Sequence, residues 1–173
     1  MDKKRSKQTQ FAFTSGIQRS GEIAIIRVPA KISSEFPTRG MVLAGAEING
    51  HNFTAELEPD GEGGHFLEAG SALLKKIKTG GCVSVKVVLK LIEDWPAPKL
   101  PADLKQMLNE NAGAGTAWSN VTSKAKWEWL RWLRAAKTDE TRRKRLITAR
   151  SMLVAGKKRP CCFNSRQCLL PGI

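Results

Sequence analysis

The apolar pattern of this chain changes its period once, at a proline-rich segment, and this change limits the possible folds more than any other feature. From Gln10 to Leu91, apolar residues alternate with polar ones at the period of two that belongs to half-buried strands. Three prolines between Glu93 and Pro101 then interrupt the pattern, because proline fixes φ and lacks a backbone donor. After Pro101 the apolar residues follow helical spacing. The sequence therefore predicts an α+β protein with a strand-rich part followed by a helical part.

Short strands and tight turns predict that the first part is a small antiparallel barrel or sandwich. The strongest local signal is Asn49-Gly50 between alternating apolar runs, which predicts a two-residue hairpin. A second glycine-rich loop runs from Pro59 to Gly64 and precedes a short strand that starts at His65. Such a loop can cradle phosphate, but it lacks the Lys-Ser/Thr ending and the following helix of a nucleotide loop. Hairpin geometry is therefore the favoured interpretation.

Three helices are predicted after the linker. The first starts at Pro101 and is expected to stop at Gly113 or Gly115. The second is expected from about residue 123 to residue 136, with one face that is apolar and consists of Ala125, Trp129, Trp132, Leu133 and Ala136. Its opposite face is expected to carry Lys124, Glu128, Arg131 and Arg134.

The third helix is predicted to begin at Thr138 or Asp139 and to be capped by Gly156. Its buried stripe is expected to consist of Leu146, Ala149 and Leu153. The pattern changes predict three regions: a small β-barrel domain over 8–95, a basic helical region over 96–159, and a disordered tail over 160–173.

Positive charge is concentrated in the helical part. Residues 120–159 contain 13 Lys and Arg against 3 Asp and Glu, whereas residues 11–119 contain 11 against 12. With a net charge of +13, this segregation favours polyanionic partners, although the same residues would also suit a merely solvated face. Trp127 lies off the apolar face and is a better candidate for a contact than its neighbours. The candidate anion- or partner-binding residues are Arg131, Arg134, Lys137, Arg142, Arg145, Arg150 and Trp127.

The barrel offers candidate ligand-loop residues around its two glycine turns. His65 could serve as a general base, but no Ser, Cys or carboxylate partner is identifiable by spacing, so a hydrogen-bonded structural histidine is favoured. Paired Cys-x-x-Cys spacing is absent, which argues against a zinc site. Cys82 is expected to be a small buried hydrophobe. The ligand-loop candidates are Asn49, Gly50, Gly61, Gly64 and His65; no catalytic residue, metal or cofactor is predicted.

The location of the protein is predicted from what the sequence lacks. No long apolar stretch follows the basic N-terminus, and no apolar run approaches the roughly 20 residues of a membrane-spanning helix. We therefore expect a cytoplasmic protein without integral membrane association.

The basic region also carries a recognisable motif. Ala136, Lys137, Glu140, Thr141, Arg142 and Arg145 match an Ala-Lys-x-x-Glu-Thr-Arg-x-x-Arg pattern. This pattern resembles the C-terminal signature of the YdeI/OmpD-associated, or bacteriocin-protection, family. The upstream residues Gly45, Ile48-Asn49-Gly50, Phe53, Leu57, Pro59, Gly61 and Gly64-His65 are similar to the small β-barrel domain of unknown function often joined to it, and Leu100-Pro101-Ala102-Asp103-Leu104 resembles the usual connector. One departure is Gly81-Cys82, which stands where the family usually has Gly-Asp.

The resemblance implies a double-split β-barrel, similar in shape to AbrB-type transcription regulators, followed by a helical hairpin. It implies no established catalytic activity. We expect a non-enzymatic interaction protein, linked by its family label to envelope or antimicrobial-peptide resistance, whose basic helices dock on an acidic protein surface. The alternative is a nucleic-acid-binding protein that uses the same helices, and an enzyme using His65 ranks third.

Overall fold

The strand-rich part forms a closed antiparallel barrel of six strands. The computed structural model describes residues 10–20, 23–77 and 84–160. The strands follow the order β1-β2-β5-β4-β3-β6, and β6 pairs with β1 to close the barrel. Their bounds are β1 Gln10–Ser20, β2 Ile23–Arg27, β3 Val42–Ile48, β4 His51–Pro59, β5 His65–Glu68 and β6 Ser84–Leu91. The α+β class and the barrel predicted from the sequence are confirmed.

The Asn49-Gly50 hairpin joins β3 to β4 as predicted. Both residues have positive φ, 49° for Asn49 and 77° for Gly50, which a two-residue turn between twisted strands requires. The register pairs Ile48 with His51 directly across the turn. This register directs the alternate apolar residues of both strands to the barrel interior.

The barrel is filled by its own side chains. Its core includes Ile26, Leu57, Val87 and Leu89, all at most 1% exposed. Two short helices accompany the strands, α1 over Ala30–Ser34 and α2 over Ser71–Lys76. The sequence gave no sign of α1, because five residues are too few for an apolar period to emerge.

The helical part contains four helices, one more than the three predicted. They are α3 Ala102–Glu110, α4 Ala112–Ser119, α5 Ser123–Arg134 and α6 Asp139–Val154. The prediction that Gly113 or Gly115 stops the first helix is wrong, because both lie inside α4. The chain breaks at Asn111, whose extended backbone (φ −132°, ψ 92°) separates α3 from α4.

The helices share a second core. Trp129 and Leu133 of α5 are each 1% exposed and pack in the same cluster as Leu104 of α3 and Leu153 of α6. The predicted apolar stripe of α6 is confirmed for Ala149 and Leu153, which are buried, and for Leu146, which packs against them partly buried. Trp118, and partly buried Trp132, pack in this cluster too.

The charged face predicted for α5 is only partly correct. Lys124 and Arg134 are exposed, but Glu128 is 6% exposed and Arg131 only 1%. The prediction of an outward Arg131 is therefore wrong. Helical periodicity separates faces of one helix, but it does not show how many of those faces neighbouring segments cover.

The described residues divide into two compact units, and the boundary along the chain falls between Glu93 and Asp94. None of the helices in the described ranges has the length and apolar character needed to cross a membrane. Cys82, the Gly81-Cys82 departure and the tail beyond residue 160 lie outside the described residues.

Candidate functional site

The outer face of α6 carries arginines and exposed aliphatic side chains together. Thr138 caps the helix, with its side chain accepting a hydrogen bond from the Thr141 backbone N–H. Within the described residues, the large hydrophobic side chains that are exposed are Ile147 and Val154, at 58% and 59%. Exposed arginines alternate with them at i, i+4, i+7 and i+11 spacing. We call this set the α6 stripe: Arg143, Ile147, Arg150 and Val154.

Arg142 turns away from this stripe and joins three helices. Its Nε and Nη2 donate to the two carboxylate oxygens of Asp103 on α3, at 2.5 and 3.1 Å, and its Nη1 donates to the Leu133 carbonyl of α5 at 3.2 Å. The hydrogen bond from Arg142 holds the pKa of the Asp103 carboxyl below its usual value. Arg142 was predicted to bind an external anion, and the Asp103 carboxylate of the protein itself takes the place of that anion.

Arg145 is also engaged inside the helical unit. Its Nη1 donates to the Trp132 carbonyl, and its guanidinium lies 5.2 Å from the centroid of the Trp132 ring. This is the geometry of a cation–π contact. Partial burial lowers the pKa of the Arg145 guanidinium, yet an arginine remains charged at neutral pH. Arg142 and Arg145, both predicted to bind an anion or a partner, are thus directed to partners inside the helical unit.

Of the remaining predicted partner-binding residues, Arg134, Lys137 and Arg150 are exposed, and Trp127 is partly exposed. The indole Nε1 of Trp127 donates to the Pro96 carbonyl at 2.8 Å. Trp127 thus anchors the proline-rich segment to α5. Arg143, Ile147 and Val154 were not among the residues predicted from the sequence. Ile147 and Val154 lie seven residues apart and off the predicted buried stripe, and this spacing could have indicated an exposed apolar face on α6.

The glycine-rich loop of the barrel is organised by Asp60. Its Oδ1 accepts hydrogen bonds from the backbone N–H groups of Glu62 and Gly64, at 2.9 and 2.8 Å. Its Oδ2 lies 3.6 Å from Nη1 of Arg27, and Arg39 donates to the Gly63 carbonyl at 2.7 Å. Because the carboxylate takes up the backbone donors that would bind phosphate, hairpin geometry rather than a phosphate cradle describes this loop.

The two arginines and this loop line a cleft of about 890 Å³. Gly61 and Gly63 have φ of 87° and 98°, which L side chains rarely adopt. Gly61 and Gly64 both line the cleft, so two predicted ligand-loop residues come together there. The other turn is separate: Asn49 donates from its side-chain amide to the Ile77 carbonyl at 3.1 Å.

His65 is buried at 1% exposure with both ring nitrogens in hydrogen bonds. Its Nε2 lies 2.8 Å from the Gly40 carbonyl, and its Nδ1 lies 2.6 Å from the Ser33 hydroxyl. Because a carbonyl only accepts, Nε2 carries the proton and Nδ1 accepts from Ser33. Burial is the main cause of a pKa below the usual histidine value. This arrangement suits a neutral structural imidazole.

Within the described parts of the chain, no three His, Cys, Asp or Glu side chains are placed to hold a metal ion. The α6 stripe is the candidate site that combines exposed arginines with exposed large hydrophobic side chains of the described residues.

Two family matches cover most of the chain. Residues 97–156 match the family described as Bacteriocin-protection, YdeI or OmpD-Associated, and residues 13–89 match Domain of unknown function (DUF1905). Residues 97–156 belong to the YdeI/OmpD-associated family. This match covers the four helices, and the second match covers the barrel from residue 13 in β1 to residue 89 in β6, as the resemblance had implied. No curated protein gave a significant match.

Proposed function

We propose that this YdeI/OmpD-associated protein is a non-enzymatic interaction protein that docks the α6 stripe on an acidic protein surface. The observation that carries the proposal is the pairing of exposed arginines with exposed aliphatic side chains on α6. Interfaces of this composition combine charge complementarity with burial of apolar area. The net charge of the helical part also favours an acidic partner, because residues 94–160 contain 15 Lys and Arg against 6 Asp and Glu.

The aliphatic residues favour a protein partner over a nucleic acid. A nucleic-acid surface is recognised mainly through phosphate contacts from cations and polar groups. Ile147 and Val154 would add little to such a contact, but they suit an apolar groove with an acidic rim. Arg142 and Arg145, which the nucleic-acid alternative would use, point to partners within the helical unit. A protein partner is therefore favoured, and nucleic-acid binding is the alternative outcome of the experiments below.

The non-enzymatic part of the proposal is supported by the environment of His65. A general base must be within reach of the proton that it removes, whereas the imidazole of His65 is buried and bonded on both sides. A structural task for His65, joining β5 to α1 and to the segment before β3, accounts for both hydrogen bonds.

We further propose a cytosolic role connected with envelope or antimicrobial-peptide resistance, supported by the description of the matched family. Many antimicrobial peptides are cationic, and the basic helical unit would repel them. The protein would therefore act through an acidic partner rather than by capturing the peptide. Cell fractionation and the peptide sensitivity of a deletion strain, complemented by α6 variants, test this part.

The docking proposal is tested by affinity capture with a charge-reversed stripe. The variant Arg143→Glu/Arg150→Glu should lose the partner that the unmodified protein retains, because two attractive contacts become repulsive. The matched control is Lys75→Glu/Lys76→Glu, which makes the same change of net charge at two exposed positions of α2. Only the first variant should lose the partner. Equal capture by both variants would reject the α6 stripe as the docking face.

A second substitution separates a protein partner from a nucleic acid. Ile147→Ser removes exposed apolar area without changing charge, so it should weaken binding to a protein. It should leave binding to a nucleic acid nearly unchanged. Mobility shifts of DNA and RNA over a salt series provide the comparison, since phosphate contacts produce a steep loss of affinity with salt. Steep loss together with no effect of Ile147→Ser would favour the nucleic-acid alternative.

A further inference from the structure

A separate pocket of about 490 Å³ lies within the helical unit, between α3, α4 and the end of the proline-rich segment. Its apolar walls come from Leu100, Leu108 and Trp118. Leu108 and Trp118 are each 7% exposed and belong to the helical core, so these walls are held by packing. The volume is within the usual range for sites that take small molecules.

Gly115 explains how the pocket is formed. A Cβ atom at this position would lie 2.9 Å from the Leu108 carbonyl oxygen, so α3 and α4 approach too closely for any side chain. Gly115 also lines the pocket. A glycine that would ordinarily weaken a helix therefore permits both the close approach and the open space beside it.

The rim of the pocket is positively charged. Lys99 and Lys105 line it with exposed side chains, and Asn109 adds an amide one turn after Lys105. The ammonium group of Lys126 lies 5.8 Å from the centroid of the Trp118 ring. None of the described residues that line the pocket carries a carboxylate.

The two acidic residues of α3 are directed to other partners. Asp103 accepts both hydrogen bonds from Arg142, and Glu110 accepts a hydrogen bond from Gln106 at 2.7 Å. Lys105 is therefore not matched by the carboxylates of its own helix, and Lys99 lies in the proline-rich segment before that helix. An apolar interior beneath a cationic rim suits a ligand with an apolar body and an anionic head.

We infer that this pocket binds a small anionic amphiphile, with its apolar body against Leu100, Leu108 and Trp118 and its anionic head between Lys99 and Lys105. The shared chemistry is an aliphatic or aromatic body that ends in a carboxylate, phosphate or sulfonate. This site is distinct from the α6 stripe, and the two can succeed or fail independently.

The test compares three probes that share one apolar chain and differ only in the head group. Decanoate, 1-decanol and decyltrimethylammonium are titrated into the full-length protein below their aggregation concentrations, with calorimetry as the readout. Decanoate should bind at least about tenfold more tightly than the other two, because charged hydrogen bonds to its head distinguish it. Equal binding of decanoate and decyltrimethylammonium, or no binding of decanoate, would overturn the inference.

Two variants locate the binding. Lys99→Glu/Lys105→Glu reverses the rim and should weaken decanoate binding at least about tenfold. Asn109→Trp places an indole at the mouth from an exposed helical position and should also weaken binding. The matched control is Arg143→Glu/Arg150→Glu, which makes the same charge change on α6 and should bind decanoate as the unmodified protein does. If the control loses decanoate equally, the effect is one of net charge and the pocket assignment is wrong.

The same variants separate this inference from the proposed function. Lys99→Glu/Lys105→Glu should still capture the protein partner, and Arg143→Glu/Arg150→Glu should still bind decanoate. Helical circular dichroism and tryptophan emission of each variant show that it is folded, so loss of binding reports the pocket. Loss of decanoate binding in a folded Asn109→Trp variant supports the site, and retained binding contradicts it.

Discussion

Individual buried polar residues in this protein have tasks that their residue type alone does not reveal. His65 is the clearest case, because its buried imidazole joins Ser33 of α1 and Gly40 before β3. Its tautomer follows from the carbonyl at Nε2. The burial of this residue therefore links stability to pH.

We predict that His65 titrates below the ordinary histidine value of 6.5, with burial as the main cause. Just below pH 6.5 the unfolded chain binds a proton that the folded barrel does not, so the free energy of unfolding decreases as the pH falls through this range. Proton NMR of a His51→Gln variant isolates the His65 signal, since the chain has two histidines. A titration midpoint at or above 6.5 would contradict the prediction.

Gly64 is expected to be intolerant of even one methyl group. A Cβ atom there would lie 2.3 Å from Oδ2 of Asp60, the carboxylate that organises the loop. Gly64→Ala should therefore displace Asp60 from its backbone partners and destabilise the barrel by about 1–3 kcal/mol. Amide hydrogen exchange of β4 and β5 measures the loss.

Gly70 provides the control for this substitution. It has no atom within 4 Å of its Cβ position and an ordinary φ of −64°. Gly70→Ala should leave exchange in β4 and β5 unchanged. Equal effects of the two substitutions would mean that the contact with Asp60 is not the cause.

At the scale of elements, the motif arginines hold helices together. Arg142 on α6 connects Asp103 of α3 to the Leu133 carbonyl of α5, and Arg145 reaches the Trp132 carbonyl of α5. Two arginines of the sequence motif, Arg142 and Arg145, therefore contribute to the packing of the helices.

The Asp103–Arg142 pair should contribute measurably to the stability of the helical unit. A double-mutant cycle of Asp103→Ala and Arg142→Ala should give a coupling free energy of about 1 kcal/mol, since the side chains are 37% and 27% exposed and water screens them in part. The pKa of Asp103 is lowered, so this contribution is present above pH 3.8 and lost as the pH falls through the folded pKa. Urea unfolding monitored by tryptophan emission measures the coupling.

The exposed pair Glu140–Lys144 is the control for this cycle. Its atoms are 2.6 Å apart, but its side chains are 69% and 73% exposed. Its coupling should be only a few tenths of a kcal/mol. Because the two pairs have nearly equal distances, a coupling there as large as at Asp103–Arg142 would show that partial burial is not the cause of the stronger coupling.

Local signals predicted those elements whose residues determine their own conformation. Asn49-Gly50 specified its turn, and Thr138 with Gly156 marked the ends of α6 because cap geometry depends on adjacent residues. The helix α4 was missed because Gly113 and Gly115 disfavour helices locally, while Ala114 and Trp118 stabilise α4 through burial. The prediction that Arg131 is exposed was wrong for the same reason, because packing from other elements covers its side chain.

For the whole molecule, the sequence predicted the position of the basic region and the division into a strand-rich and a helical part better than it predicted the residues of the candidate site. Charge counts identified the basic helical part directly from the sequence. They did not show that Arg142 and Arg145 are engaged internally or that the exposed arginines alternate with Ile147 and Val154. The internal partners of Arg142 and Arg145 lie on α3 and α5, and the apolar pattern of α6 alone does not show which residues of other helices face it.

Because each unit has its own apolar core, we predict that residues 94–160 fold when produced alone. The core around Trp129, Leu104 and Leu153 consists of residues from this range only. A chain of 67 residues is close to the lower limit for folding without disulfides or metals, so its stability should be only about 3–5 kcal/mol. Circular dichroism should show helices, and urea unfolding should give the free energy. All five tryptophans lie in this range, so the emission spectrum of the fragment should match that of the full-length protein. A coil spectrum with the emission of water-exposed indole would show that the helical unit depends on residues outside 94–160.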